Sequence, residues 1–184
     1  MAIRKASVQD VPAMLAIYDH FVRDTAVSFE YETPTAEEFS CRLSEHIAVY
    51  PWLVWEEDGR VLGYAYAGRV FERAAYAWNA EISCYLAEEI RGRGIGRQLY
   101  AAVEDILRRQ GVRKVYAVVT AANESSAAFH KAIGYREALT YTDVGFKQGK
   151  WYDVVWLEKL LQPLGVPDRF PTPWEELQSS ENNG

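Results

Sequence analysis

Only two cysteines occur in 184 residues, Cys41 and Cys84, and neither belongs to a C-x-x-C pair. That is too few for a disulfide framework and suits a reducing compartment. No apolar run approaches the ~20 residues of a membrane helix. The opening Met1-Ala2-Ile3-Arg4-Lys5-Ala6 reaches a charged pair with no apolar stretch behind it, unlike a secretory signal. Basic charge is also short: 20 Lys+Arg face 26 Asp+Glu, giving a net charge of −6. A non-specific nucleic-acid binder needs a cationic field, so that class is disfavoured. No His/Cys/Asp cluster stands at metal-ligand spacing. The expectation is a cytoplasmic protein with no nucleic-acid or membrane partner and no metal.

Apolar residues make up 49% of the chain and charged ones 25%, the balance of one soluble globular domain. Twelve Tyr and six Trp are enough to build a core and also line a pocket. Proline gathers late, with Pro163, Pro167, Pro171 and Pro173 supplying four of seven. Residues 163–184 also set four anions (Asp168, Glu175, Glu176, Glu181) against one cation (Arg169), half of the net charge. These shifts divide the chain into a domain over 1–161 and a proline-rich acidic arm over 162–184. The arm's last six residues read as disordered.

Within the domain, a short strand at 2–6 precedes Ser7-Val8-Gln9-Asp10, a capping-box signal with Asp in place of Glu. Val11, Met14, Leu15, Tyr18, Phe21 and Val22 then recur at helical spacing. Thr35 with Glu38 starts a second helix that turns Phe39, Leu43 and Ile47 inward. Asp58-Gly59 between two apolar runs predicts a hairpin. A loop rich in charge and aromatics spans 68–77, and a strand over 80–86 follows. It leads into glycines 92, 94 and 96 and a helix to about Gln110. Lys114 to Thr120 reads as a strand buried on both faces. A short helix over 125–132 stops at Gly134. Strands at 135–141 and 151–157 pair around a Gly145–Lys150 turn. Antiparallel strands with one central strand–helix–strand unit imply an α/β fold: a mixed, mostly antiparallel sheet flanked by helices.

The strongest chemical signal runs from Glu81 to Gly96. Alternating glycines after a strand let consecutive N–H groups share one concavity, and the following helix adds its positive end. Such a turn suits phosphate or pyrophosphate, and Arg91, Arg93 and Arg97 add cationic reach. The plain alternative is a tight turn whose glycines serve geometry alone. A nucleotide P-loop would need Gly-Lys-Ser/Thr, but Arg97-Gln98 follow Gly96. A dinucleotide fold would need G-x-G-x-x-G early in the chain. The pattern Arg/Gln-x-x-Gly-x-Gly/Ala fits throughout, as Arg91-Gly92-Arg93-Gly94-Ile95-Gly96.

That loop resembles the pyrophosphate loop of the GNAT N-acetyltransferases, which bind acetyl-CoA. Asn123-Glu124-Ser125-Ser126 through Phe129 to Tyr135 is similar to the family's later Asn…Gly-Phe/Tyr motif. Tyr50-Pro51-Trp52-Leu53-Val54, Arg73 to Trp78 leading into Glu81, Phe129 to Tyr135 and Gly145 to Asp153 resemble, more narrowly, the phosphinothricin and methionine-sulfoximine acetyltransferases. The likeness runs in matching order from residue 3 to about 160. Residues 69–72 (Arg-Val-Phe-Glu) depart from the Pro-Trp-Lys-Ala type sequence, which leaves the acceptor open.

The resemblance implies acetyl-CoA as co-substrate, a small amino-acid-like acceptor and a homodimer. It assigns the general-base carboxylate to Glu81, whose plain alternative is a salt-bridged or solvent-facing residue. His130 stands where many relatives carry a Tyr that protonates the coenzyme thiolate, and it can act as that donor or as a base. Cys84, Tyr85 and Leu86 correspond to the strand whose main chain pairs with the pantetheine arm. Gly92, Gly94, Ile95 and Gly96, with the three arginines, correspond to the pyrophosphate site, and Asn123 and Ser126 lie near the thioester. Phe29, Arg73 and Tyr76 are acceptor candidates, since Arg binds a carboxylate bidentately and aromatics wall a side chain. Lys147 is expected to reach the pocket or a dimer mate, and Trp174 to lie across a partner subunit. A covalent acyl-Cys84 route lacks a supporting motif. The rivals are a protein Lys or N-terminal acetyltransferase, a non-catalytic acetyl-CoA-binding regulator, and a dinucleotide oxidoreductase.

Overall fold

The computed structural model describes residues 1–182. Seven strands form one sheet in the order β1-β2-β3-β4-β5-β7-β6. They are β1 (Ala2–Lys5), β2 (Trp52–Glu57), β3 (Arg60–Arg69), β4 (Asn79–Leu86), β5 (Lys114–Thr120), β6 (Arg136–Lys147) and β7 (Lys150–Leu160). Every neighbouring pair is antiparallel except β4 with β5. The mixed, mostly antiparallel α/β fold expected from the element order is therefore observed.

Helices cover both faces. α1 (Val11–Asp24) and α2 (Ala36–Ile47) pack on one, burying Val11, Met14, Val22, Phe39 and Leu43 against Trp52, Val54 and Tyr64. α3 (Ile95–Gln110) lies on the other, with Leu99, Val103 and Leu107 against Ala65, Ile82, Val115 and Leu157. Both predicted capping boxes form. Asp10 accepts from the Ser7 amide at 2.8 Å, and Glu38 accepts from the Thr35 amide at 2.7 Å. α4 (Glu124–Ala132) follows β5 and completes the central unit.

Three expectations are corrected. β5 is buried on one face only: Val115, Ala117 and Val119 are inside, while Val118 is exposed. The helices α1 and α2 lie over β2, β3 and the end of β4 at Tyr85, and they leave that side of β5 uncovered. The Gly145–Lys150 turn shrinks to Gln148-Gly149, whose φ angles of 50° and 79° make a two-residue hairpin. Gly145, Phe146 and Lys147 consequently continue β6.

The third correction concerns the arm. After irregular backbone from 162 to 173, α5 (Trp174–Asn182) takes in four of the six residues expected to be disordered, and the other two lie outside the described residues. Trp174 does not reach outward. It is 3% exposed and belongs to the main core, with its amide bonded to Val49 O at 3.1 Å. Buried Gln110 secures the crossing by donating to Val49 O (2.7 Å) and Thr172 O (2.8 Å). Trp78 stacks on Phe170 further along.

Candidate active site

The site begins where the sheet splits. β4 pairs with β5 over three residues only, ending at Glu81 opposite Tyr116. Beyond that point β5 bonds to β7 and β4 to β3, so the inner edge of Ile82–Leu86 faces a gap. Unpaired strand groups at such an edge accept an extended ligand as an added strand. Alternation along β4 sends Ile82, Cys84 and Leu86 to the α3 side and Glu81, Ser83 and Tyr85 to the other. The Tyr85 ring accordingly packs on Tyr18 and Phe21, and only its main chain borders the gap.

On the α3 side a cavity of about 140 Å³ is lined by Cys84, Leu86, Gly96, Tyr100, Ser126, Phe129 and His130. Gly96, the last glycine of the turn, brings the turn to this cavity. Gly92 and Gly94 have φ of 74° and 77°, and a Cβ at either would meet nothing within 4 Å. Their left-handed backbone turns the chain into α3, whose first N–H groups are left without helical acceptors. This cradle fits a pyrophosphate through main-chain donors. The arginines are placed differently from the expectation. Arg93 pairs with Glu57 at 2.9 Å, Arg97 donates to Ala132 O at 3.2 Å, and Arg91 lies over the Phe21 ring.

His130 is buried, and both ring nitrogens are engaged. Nδ1 lies 2.7 Å from Ser126 O, an acceptor only, so Nδ1 carries the proton. Burial lowers the pKa of the imidazole, favouring its neutral form. Nε2 then accepts from the Tyr100 hydroxyl, 2.7 Å away. The same hydroxyl lies 3.2 Å from Ile82 O, on the strand that edges the gap. Tyr100 was absent from the expected site because its spacing in α3 matches an ordinary core position. The only signal was its place four residues after Gly96. Asn123 caps α4, its Oδ1 accepting from the Ser126 amide at 3.2 Å.

Glu81 is half-buried, and burial alone raises its carboxyl from 4.5 to about 6. No hydrogen bond or ion pair to this carboxylate is found among the described residues. By register it shares its face with Tyr116, and Trp156 shares that face through Val118. Phe71 stacks on Trp156 at 6.1 Å and touches Tyr76 at 4.7 Å, so aromatics wall this open side.

The acceptor candidates are not gathered into one cavity. Arg73 lines a hollow of about 230 Å³ with Tyr50, Phe71 and Phe170, without Glu81. Phe29 lies against Gly145 and Tyr152 at the β6–β7 end. A hollow of about 630 Å³ runs along α1 beside Ala13, Ala16 and Ile17 and contains neither Glu81 nor His130.

Residues 3–156 match the acetyltransferase (GNAT) domain. The chain belongs to the GNAT acetyltransferase family. It is 36% identical to a phosphinothricin N-acetyltransferase of Streptomyces viridochromogenes, with 83% of each chain covered. It is 31% identical to the L-methionine sulfoximine/L-methionine sulfone acetyltransferase of Salmonella typhimurium, over 91% of this chain and 99% of that one. Among solved structures, a phosphinothricin acetyltransferase from Sinorhizobium meliloti in complex with acetyl-CoA superposes with a TM-score of 0.85 at 33% identity. The alignment covers 93% of this chain and 92% of that one.

Proposed function

We propose that the protein transfers the acetyl group of acetyl-CoA to the amine of a small amino-acid-like acceptor, of the phosphinothricin or methionine-sulfoximine kind. The observation that carries this reading is the split between β4 and β5, with a desolvated carboxylate on one side and a Tyr–His pair on the other. Acetyl-CoA supplies the activated acyl group. Gly92 to Gly96 hold its pyrophosphate, and the open edge of Ile82–Leu86 holds its pantetheine arm.

The protein's own groups manage the protons. An amine arrives largely protonated at neutral pH, and Glu81, raised to about 6, takes that proton directly or through water. Tyr100 presents its hydroxyl to the cavity. Its proton goes to the departing coenzyme A thiolate and is replaced from solvent, while His130, whose Nε2 accepts from that hydroxyl, holds it in place. Attack on the acyl group is direct. Burial pushes the Cys84 thiol up to about 12, so it stays protonated and is a poor nucleophile.

The deciding test follows thiol release from acetyl-CoA across free amino acids, methionine sulfoximine, methionine sulfone and phosphinothricin, with Tyr100→Phe beside the wild type. Turnover on at least one of the analogues is expected, with kcat about 10²-fold lower in the variant. Silence on the whole panel while acetyl-CoA still binds would move the acceptor to a protein amine.

We also propose a homodimer in the cytoplasm, a compartment that suits the free Cys41 and Cys84. Leu139, Tyr141, Val144 and Phe146 of β6 and Trp151 of β7 are all exposed along one hairpin. A patch of that kind marks an interaction surface. Light scattering at micromolar concentration should return twice the 21.0 kDa chain mass, and a monomer would refute the dimer.

A further inference from the structure

Lys147 is only 4% exposed, yet its ammonium has no carboxylate within ion-pair distance among the described residues. It donates instead to two main-chain carbonyls, Val22 O and Ser28 O, each at 2.6 Å. Glu30 acts on it only from farther off. A buried charge is costly unless its partners are well placed. Val22 O is one of the carbonyls that α1 leaves open at its C-terminus, where the helix dipole favours a cation. Ser28 O lies one residue before Phe29. One ammonium therefore closes the segment between Val22 and Ser28 into a ring.

Other contacts hold the same loop to the neighbouring strands. Thr120 Oγ1 donates to Ala26 O at 2.5 Å, and Tyr31 Oη donates to Phe146 O at 2.5 Å. Gly145 accommodates the Phe29 ring so closely that a Cβ there would lie 2.2 Å from it. The loop also borders the C-terminal end of β5, where Thr25, Ala26 and Val27 share a hollow of about 220 Å³ with Thr120 and Asn123. That end is the mouth of the β4–β5 gap.

We infer that Lys147 is a positioning residue for the acceptor: its buried ammonium fixes the 23–29 loop, whose residues 25–27 border the mouth of the gap and whose Phe29 ring is seated on Gly145. The inference rests on the proposed transfer to a small amine. It replaces the expectation that Lys147 reaches the pocket or a second subunit, because its ammonium is already committed inside its own chain.

The test is steady-state kinetics of the full chain with methionine sulfoximine and phosphinothricin, comparing wild type, Lys147→Met and Gly145→Ala. Lys147→Met keeps the length but leaves two carbonyls unpaired. Gly145→Ala displaces the Phe29 ring without touching the ammonium. Both are expected to raise the acceptor KM about tenfold, since small misplacements of a substrate-positioning group weaken its action sharply. The acetyl-CoA KM should stay within about twofold of wild type in both. An unchanged acceptor KM in the folded variants, or an acetyl-CoA KM rising in step with it, overturns the inference. If Lys147→Met does not fold, Gly145→Ala decides alone. A wild type that turns over neither acceptor removes the proposed transfer and this inference together, whereas an active wild type matched by its variants removes the inference only.

Discussion

Glu81→Gln is expected to lower kcat/KM by about 10²–10⁴-fold, the usual contribution of a positioned general base. Acetyl-CoA binding should persist, because the glycine turn and the open edge of β4 do not involve this side chain. The pH dependence gives a second readout. With the carboxyl raised to about 6, the wild-type rate should fall below pH 6 as Glu81 takes up a proton and ceases to be a base. The variant should lose that limb. Burial lowers His130 from its ordinary 6.5, and any limb that it supplied would persist in the variant. An acid limb that survives in Glu81→Gln would assign the base elsewhere.

Stability separates this loss from unfolding. The native state holds the Glu81 proton more tightly than the unfolded chain, so the stability linked to that proton is full below pH 4.5 and gone above about 6. A rise from 4.5 to about 6 corresponds to about 2 kcal/mol, which ionised Glu81 costs the fold at neutral pH. Gln carries no such charge. The variant should therefore melt no lower than wild type at pH 7, and a lower Tm would mean that Glu81 has a stabilising partner.

The second large effect concerns the C-terminal arm. Trp174→Ala is expected to cost about 3–5 kcal/mol, the usual range for emptying a buried Trp site. This is a sizeable part of the 5–15 kcal/mol that holds a typical domain together. With an m-value near 2 kcal/mol/M, the urea midpoint should fall by roughly 2 M. Phe170→Ala, at a ring 61% exposed, should move it far less. A midpoint unchanged in Trp174→Ala would show that the arm lies outside the cooperative unit.

Much of the active-site frame was legible because its signals are local. The glycine spacing marked the left-handed turn into α3, and the resemblance drew attention to Glu81 on the strand just before it. The acceptor side was less legible. Phe29, Arg73 and Tyr76 were singled out together, yet Arg73 and Phe29 line different clusters. Their types suit an acceptor, but their relative placement depends on where the loop over 70–78 and the β6–β7 hairpin settle. The three arginines were read as adding cationic reach, and the fold gives each a protein contact as well.

The sequence by itself determined the capping boxes, the Asp58-Gly59 hairpin, the helical periodicities and the glycine turn that enters α3. Each of these depends on residues within a turn or so of one another, where backbone sterics and nearest hydrogen bonds dominate. Only the tertiary structure decided that Tyr100 meets His130, 30 residues away, and that Lys147 meets Val22 across 125. It also decided that Trp174 enters its own core and that the outer face of Val118 stays open. A Tyr, Lys, Trp or Val has the same local preferences in either setting. The order of strands sets which groups face it, and so whether its hydroxyl, charge or ring is left to solvent or committed inside.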